Sequence, residues 1–477
     1  MRQATTAKVD RTPIAEAVET RIGRLDFELG VPSPETVTKL YDEMDFQRAC
    51  QLYVWALPAV NSMQAKLYAG LVCGSKGGDC AIFEGYHNLS GCLTPNVITP
   101  YISGDLDLAG AGPMVVDVPP GLLAGSAMDF WQRPLTDFGV LGPDKGKGGR
   151  YVFAGPGQEV PQADGAVVLR SPTFGILFFY RALDPDPVKA EAVKKGVRLY
   201  PWSRRENPPP TRYLVPDPDR IKVIPAMPRG MDYWKRLAEF VHAEPVEDRD
   251  RFFAAMLKPL GIEKGRPFKP DERQERILTD AAIVGEAMAK ANDFSKRFAG
   301  ARYRTDTRWE YVILADPAQD LEHYSQLDER AAWFYEAIFL TQAMISRTPG
   351  FGQAYLGAYH DRDGHAFNGG LTYHLHVPPD PPAKQFWSVT LYDIGTRGLV
   401  QNKEQIADRN PRQPGLTRNA DGSVDLYFAP VAPKGFEKNW IPTTPGRAWF
   451  AWFRLYAPLQ AYFDRTWRLP DIEKVAA

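Results

Sequence analysis

The sequence predicts a mainly β protein with α insertions: an α+β chain of two antiparallel β-sandwich or jelly-roll-like domains joined by a helical region. Three observations lead there. From Asn96 onward, short runs rich in β-branched and aromatic residues alternate with Gly, Pro and Asp, unlike the strand–helix alternation of a parallel sheet. The chain carries 11 Trp, 21 Tyr and 25 Phe beside 42 Pro and 40 Gly, so ring-bearing strands and turn formers are both abundant. Its 477 residues exceed one ordinary core, which makes two domains plus a helical insertion the natural expectation.

The elements follow in order. Ser33 to about Leu71 reads as helical, with Ser33-Pro34-Glu35 supplying a cap, a proline at the first helical position and an early acid. Pro58 is expected to kink or split that helix. The runs "ITPYISGDLDL", "PMVVDVPP", "RYVFAGPG", "AVVLRSPT" and "GILFFYRA" have period two and read as strands. A short helix near 185–198 and a proline-rich connector precede helices at about 230–242, 247–258, 270–298 and 318–347. Strands return with "LTYHLHVP", "QFWSVTLYD", "VDLYFAP" and "RAWFAWFRLYAP". The expected units are a helical segment at 1–72, a first sandwich at 73–200, connector and helices at 201–349, and a second sandwich at 350–477.

Composition narrows the partners. Hydrophobic content of 44%, charged content of 24% and net charge −1 fit a globular protein with neither a nucleic-acid nor an anionic-membrane footprint. No apolar run reaches the roughly 20 residues of a membrane span. The start lacks a secretory core, so a cytoplasmic location is expected, or a periplasmic or secreted one if a leader was removed. Cys73 and Cys80 in "CGSKGGDC" either form a bridge or, with Cys50 and Cys92, stay free thiols.

Several long runs resemble a known pairing of domains. "CLTPNVITPYISGDLDL", "MDFWQRPLTDFGVLGPDKGKGGRYVFAGPG" and "RSPTFGILFFYRALDPDP" resemble the domain of unknown function 1254. "FWSVTLYD", "NADGSVDLYFAP", "NWIPTTPGRAWFAWFRLYAP" and "TWRLPDI" resemble its C-terminal companion, the domain of unknown function 1214. The resemblance runs from about Asp45 to Pro470 and implies two jelly-roll-like sandwiches with helical elaboration. It implies little about function.

Candidate sites come from strand alternation and motif spacing. His374 and His376 share a strand face, and His360 and His365 lie just upstream, a density that suits either a metal site or a polar hairpin face. "DRDG" at 361–364 fits an Asp-Gly turn. "GPDKGKGG" lacks the G-K-[S/T] ending and precedes a strand, so it reads as a hairpin loop closed by Asp144 and not as a phosphate loop. In "RAWFAWFRLYAP" the residues Phe450, Trp452, Arg454 and Tyr456 fall together, a face that could grip an oxyanion or a sugar-like ring. Trp387 and Tyr392 from "QFWSVTLYD", on opposite faces of that strand, and Trp440 add possible stacking surfaces. The first half offers Asn96, Tyr101, Asp105, Asp107, Asp129, Trp131, Arg133 and Asp137, with Tyr180 and Arg181 at the end of "GILFFYR". Asp105 and Asp107 share a face, as acid and base, a calcium pair or turn formers would.

No G-x-S-x-G, H-E-x-x-H or strand-to-helix G-x-G-x-x-G occurs, so no dinucleotide cofactor is expected, and a divalent metal is at most an option. The expectation is a small-molecule enzyme of hydrolase type, with Tyr101, Asp105, Arg454 and Tyr456 as catalytic candidates. Asn96, Trp131, Tyr180, Arg181, Trp387, Tyr392, Trp440 and Trp452 are the binding candidates. The alternatives are a non-catalytic binder of carbohydrate-like or aromatic ligands, and an assembly protein whose aromatic strands pack between subunits of a homo-oligomer.

Overall fold

The structure is a computed structural model and describes residues 16–160, 162–217, 219–221 and 227–475. Residues 1–15, where most of the sequence start falls, lie outside the described residues. The helical segment expected for 1–72 is preceded by a small three-stranded antiparallel sheet within 17–32. Helix α1 (Pro34–Cys73) then begins where Ser33 accepts a hydrogen bond from the Thr36 amide, and ends at Gly74 in the left-handed region, φ 66°. It does not split at Pro58. Residues 52–62 are buried on every side, so packing all round the helix offsets the missing amide.

The first β-rich unit contains β1 (Tyr101–Asp107) and β2 (Gly175–Ala182), adjacent and antiparallel at the centre of a six-stranded sheet. A four-stranded sheet built on Met114–Val118 and Gly149–Ala154 covers one face. Ile102, Leu106, Phe178 and Tyr180 meet Val116, Tyr151 and Phe153 in a shared core, as period-two alternation requires. The other face carries Tyr101, Ser103, Asp105, Phe179 and Arg181 away from that core. Gly104 is required on β1, because a Cβ there would sit 2.2 Å from the Asp79 carbonyl oxygen. Gly104→Ala is expected to lower stability by about 3 kcal/mol through overpacking, read as a drop in the urea midpoint. An unchanged midpoint would contradict this register.

Residues 142–149 do not close a hairpin. They carry the chain from the six-stranded sheet (Pro134–Gly139) to the four-stranded one (Gly149–Ala154). Asp144 anchors the crossing by accepting from the Gly139 amide at 2.8 Å and the Tyr151 hydroxyl at 2.6 Å.

The helical layer joins segments distant in sequence. Helix α2 (Glu272–Phe294) and helix α3 (Leu327–Glu336) pack on α1, together with a helix at Met231–Ala243. The helix expected over 318–347 is reduced to α3 and a single 3₁₀ turn at Gln342–Met344. Gln319 and Phe339 adopt left-handed backbone, and the Phe339 amide donates to the Gln132 side chain at 2.7 Å, so tertiary bonds replace helical ones.

The second β-rich unit repeats the plan. Strands β3 (Gln353–Ala358), β4 (Ala383–Asp393) and β5 (Ala448–Pro458) form the heart of a six-stranded sheet, with β5 between the other two. Trp387, Val389, Leu391, Trp449 and Phe453 face a four-stranded sheet containing Tyr373–Val377 and Val424–Ala429. Three strand pairs are parallel, against the expected all-antiparallel pairing, and each places its added strand at a sheet edge: Val167–Arg170, Tyr213–Leu214 and Trp440–Pro442. Long connections return the chain in the same direction there. The fold is therefore α+β, with two β-rich units separated in sequence by helices. No described helix is long and apolar enough to cross a membrane.

Candidate functional site

The outer faces of the two large sheets enclose a cavity of about 890 Å³, with α1 and the segment after α3 forming its remaining walls. Its lining includes Tyr101, Asp105 and Arg181 from the first unit, and Tyr355, Trp452, Arg454 and Tyr456 from the second. Alternation explains the set: positions 452, 454 and 456 of β5 share the face turned away from that unit's own core.

Arg454 is 2% exposed. One of its terminal nitrogens donates to Thr390 Oγ1 at 3.0 Å and the other to the Thr94 carbonyl at 3.0 Å. Thr390 Oγ1 in turn donates to Asp408 Oδ2 at 3.0 Å. Arg454 thus meets a carboxylate only through a hydroxyl. Burial disfavours its charge, yet the surrounding Tyr392, Tyr456, Tyr355 and Tyr101 outweigh burial and hold its pKa above the ordinary value. Its guanidinium also lies 4.8 Å from the Trp452 ring centre. Asp408 is pushed up to about 6 by burial, opposed by hydrogen bonds from Asn410 and Thr390.

Arg181 stands on the opposite wall. It donates to Asn96 Oδ1 at 3.0 Å and lies 4.9 Å from the Tyr101 ring centre. Arg412, which the sequence did not single out, lines the same end over the Phe386 ring at 3.7 Å. Among the described residues, none of these three arginines forms a direct ion pair. Around them the Tyr456 hydroxyl, Trp452 Nε1 and Arg181 Nε are buried without a protein hydrogen-bond partner.

The far end of the cavity differs. Asp105 is held above the usual carboxylate range by burial, opposed by Lys66, whose ammonium is 3.5 Å away. Asp137 also lines the cavity and is raised by burial. Four steps of extended strand lead from Tyr101 to Asp105, about 13 Å at ~3.3 Å per residue. Phe179 and Phe339 stack at 4.5 Å, and both belong to the wall.

Other sequence candidates lie elsewhere. Tyr180 and Trp387 point into the cores of their own sandwiches, one residue out of phase with the cavity face. Tyr392 lies on the correct face but one layer beneath, its hydroxyl donating to the Pro95 carbonyl at 2.7 Å. Trp440 donates to the Ala429 carbonyl in the second small sheet. Trp131 packs at 4.9 Å on both Trp55 and Phe240. Asp129 and Arg133 form an ion pair at 2.6 Å within a turn, and Asp107 caps a short helix through the Gly110 amide. Lys66, Tyr355 and Thr390 were missed. For Tyr355 and Thr390, alternation in "QAYLGA" and "QFWSVTLYD" was the available signal; Lys66 is placed only by tertiary packing.

The His374 and His376 rings share a carboxylate, whereas the bonds of His360 and His365 are made by their backbone. His374 Nε2 and His376 Nδ1 each lie 2.8 Å from the same Asp425 oxygen, and Asn419 donates to the other oxygen at 2.7 Å. Asp361 accepts from the Asp363 and His365 amides, the expected Asp-Gly turn, while His360 bridges to Ala366. Among the described residues no group of three or more His, Cys, Asp or Glu is arranged to hold a metal. All four cysteines are free thiols, and burial pushes Cys73 and Cys80 up to about 12.

Residues 84–201 match the family described as Protein of unknown function (DUF1254), and residues 352–460 match Protein of unknown function (DUF1214). The chain carries a DUF1254 domain followed by a DUF1214 domain. The two matches cover the two β-rich units and leave α1 and most of the helical layer outside. The cavity is therefore the junction of the DUF1254 and DUF1214 units. No curated protein sequence matches the chain. The crystal structure of the VPA0106 protein from Vibrio parahaemolyticus is similar in fold, with TM-score 0.54 and 18% identity over 91% of this chain and 100% of that one. An uncharacterised protein from Burkholderia cenocepacia aligns with TM-score 0.42 and 11% identity over 92% of this chain and 97% of that one.

Proposed function

We propose that the chain is a small-molecule enzyme with hydrolase-type acid/base chemistry, working in the cavity between its DUF1254 and DUF1214 units. The observation that supports this most is the Arg454–Tyr456 pair. The two side chains are neighbours on one strand face and both are buried. The guanidinium is braced from behind, and the tyrosine hydroxyl has no protein partner. An oxygen gaining negative charge during attack by water would find a donor and a fixed positive charge, neither needing to reorganise. Asp105, protonated more readily than an ordinary carboxylate, would carry a proton at the other end.

A second reading, a non-catalytic binding protein, is favoured by the separation of about 13 Å along β1 between Asp105 and the Tyr101–Arg181 end. The assembly reading has less support, because Trp387, Trp449 and Trp452 are buried within the chain itself.

A panel of ester, lactone, glycoside and phosphoester substrates tests the proposal. One class is expected to turn over, with Asp105→Asn and Tyr456→Phe each lowering kcat/KM about a hundred-fold or more. Turnover indifferent to both substitutions would refute the assignment. Stoichiometric ligand binding with no turnover would favour the second reading.

A further inference from the structure

We infer that the cavity takes an organic monoanion, a carboxylate with an extended apolar body, whose head group is gripped by Arg181 and Arg454. The inference rests on reading the cavity as a ligand site and adds the ligand's charge and shape.

Charge comes first. The central strand of each large sheet delivers one arginine to the cavity: Arg181 from "FFYRA" on β2 and Arg454 from "WFRLYA" on β5. Asp408 offsets part of the Arg454 charge through Thr390, whereas the Arg181 side chain bonds only the neutral Asn96. Arginines gathered in one cavity without direct counter-ions repel one another, and an anionic ligand relieves that repulsion.

Hydrogen-bond polarity agrees. The unpartnered buried atoms of the lining include Tyr456 Oη, Trp452 Nε1, Arg181 Nε and Thr99 Oγ1, and all four can donate. A carboxylate only accepts, and its planar pair of oxygens matches the guanidinium fork. A dianionic head fits less well, since the cost of desolvating an ion rises with the square of its charge.

Shape supplies the rest. Beyond the arginines the wall carries an apolar strip, with Leu177, Met227 and the stacked Phe179–Phe339 pair, beside Ser103. Phe351 and Leu183, both exposed, stand on the same lining and offer an apolar path to solvent.

Calorimetric titration of the full chain with decanoate, decanamide and decyl phosphate tests this. Decanoate is expected to bind at least about ten-fold more tightly than either of the others, the effect of one charge-assisted contact. Arg181→Lys keeps the charge but loses the fork, and should weaken decanoate about ten-fold and decanamide by less. Equal binding of acid and amide, or no binding of decanoate, would overturn the inference without recourse to any variant. Tighter binding of decyl phosphate would overturn the monoanion assignment. Decanoate binding with no turnover in the substrate panel would sink the enzyme reading alone. Turnover of neutral esters that Arg181→Lys leaves untouched would sink this inference alone.

Discussion

Arg454→Met is expected to destabilise the chain by about 3 kcal/mol, the cost of removing one member of a buried polar network. Methionine fills a similar length of apolar space, so the loss reports hydrogen bonds more than volume. Two acceptors lose their donor at once: the Thr94 carbonyl, and the Thr390 hydroxyl that links to Asp408. Thr94 also donates to the Glu336 carbonyl at the end of α3, so the guanidinium ties the DUF1214 sheet to both the DUF1254 unit and the helical layer. Urea unfolding should therefore show a lower midpoint for the whole chain. Arg454→Lys should fall between the two, since one ammonium cannot reproduce the fork. A methionine variant as stable as the parent would show that the network contributes nothing net.

The second large effect lies away from the cavity, where α2 and α3 bury carboxyl groups against the DUF1214 sheet. Asp293 and Glu336 are both inaccessible to solvent. Lys296 Nζ is 3.5 Å from Asp293 Oδ1, 3.6 Å from Glu310 Oε2 and 4.2 Å from the Tyr359 ring centre, while the Tyr359 hydroxyl donates to Glu336 at 2.9 Å. Burial, opposed by Lys296, pushes Asp293 up to about 7; burial and the Asp293 charge hold Glu336 well above its ordinary range. Between pH 4 and pH 7 the folded chain keeps the Asp293 proton that the unfolded chain has released, so this residue makes stability fall as pH rises. Below pH 4 both states are protonated and the contribution is complete; above about pH 8 it is gone. The swing is several kcal/mol, because a buried carboxylate beside a second carboxyl is costly to ionise. Asp293→Asn cannot ionise. Its stability relative to the parent should rise by that order from pH 4 to pH 8, measured as paired urea midpoints across the range. A constant difference would mean that Asp293 titrates normally.

Legibility of this architecture varied with the range of the interactions that build each part. The cap at Ser33, the strands "GILFFYRA" and "RAWFAWFRLYAP", and α2 are local patterns, and each forms within a few residues of its expected limits. The expected helix at 318–347 misled because its apolar stripe is real, yet the chain turns left-handed at Phe339, whose amide donates to the Gln132 side chain, and the helix ends early. In the site, alternation grouped Trp452, Arg454 and Tyr456 correctly on one face. It could not say which face of β2 looked outward, so Tyr180 and Arg181 were both kept, and only Arg181 reaches the cavity. Trp131 and Trp440 stood among the binding candidates, but large rings serve the core as readily as a site.

Sequence alone determined the class of the chain: two β-rich units with helices between them, matching DUF1254 and DUF1214, and strand faces on which ring-bearing residues sit beside arginines. Local propensity and side-chain period are short-range properties, so they are written in contiguous residues. Tertiary structure alone decided that α1 joins the later helices in one layer, that both large sheets turn their outer faces to a common cavity, and that Lys66, Thr390 and Asp408 support it. Those relations arise from contacts between residues hundreds of positions apart, where burial and hydrogen-bond satisfaction choose the partner and no local pattern records the choice.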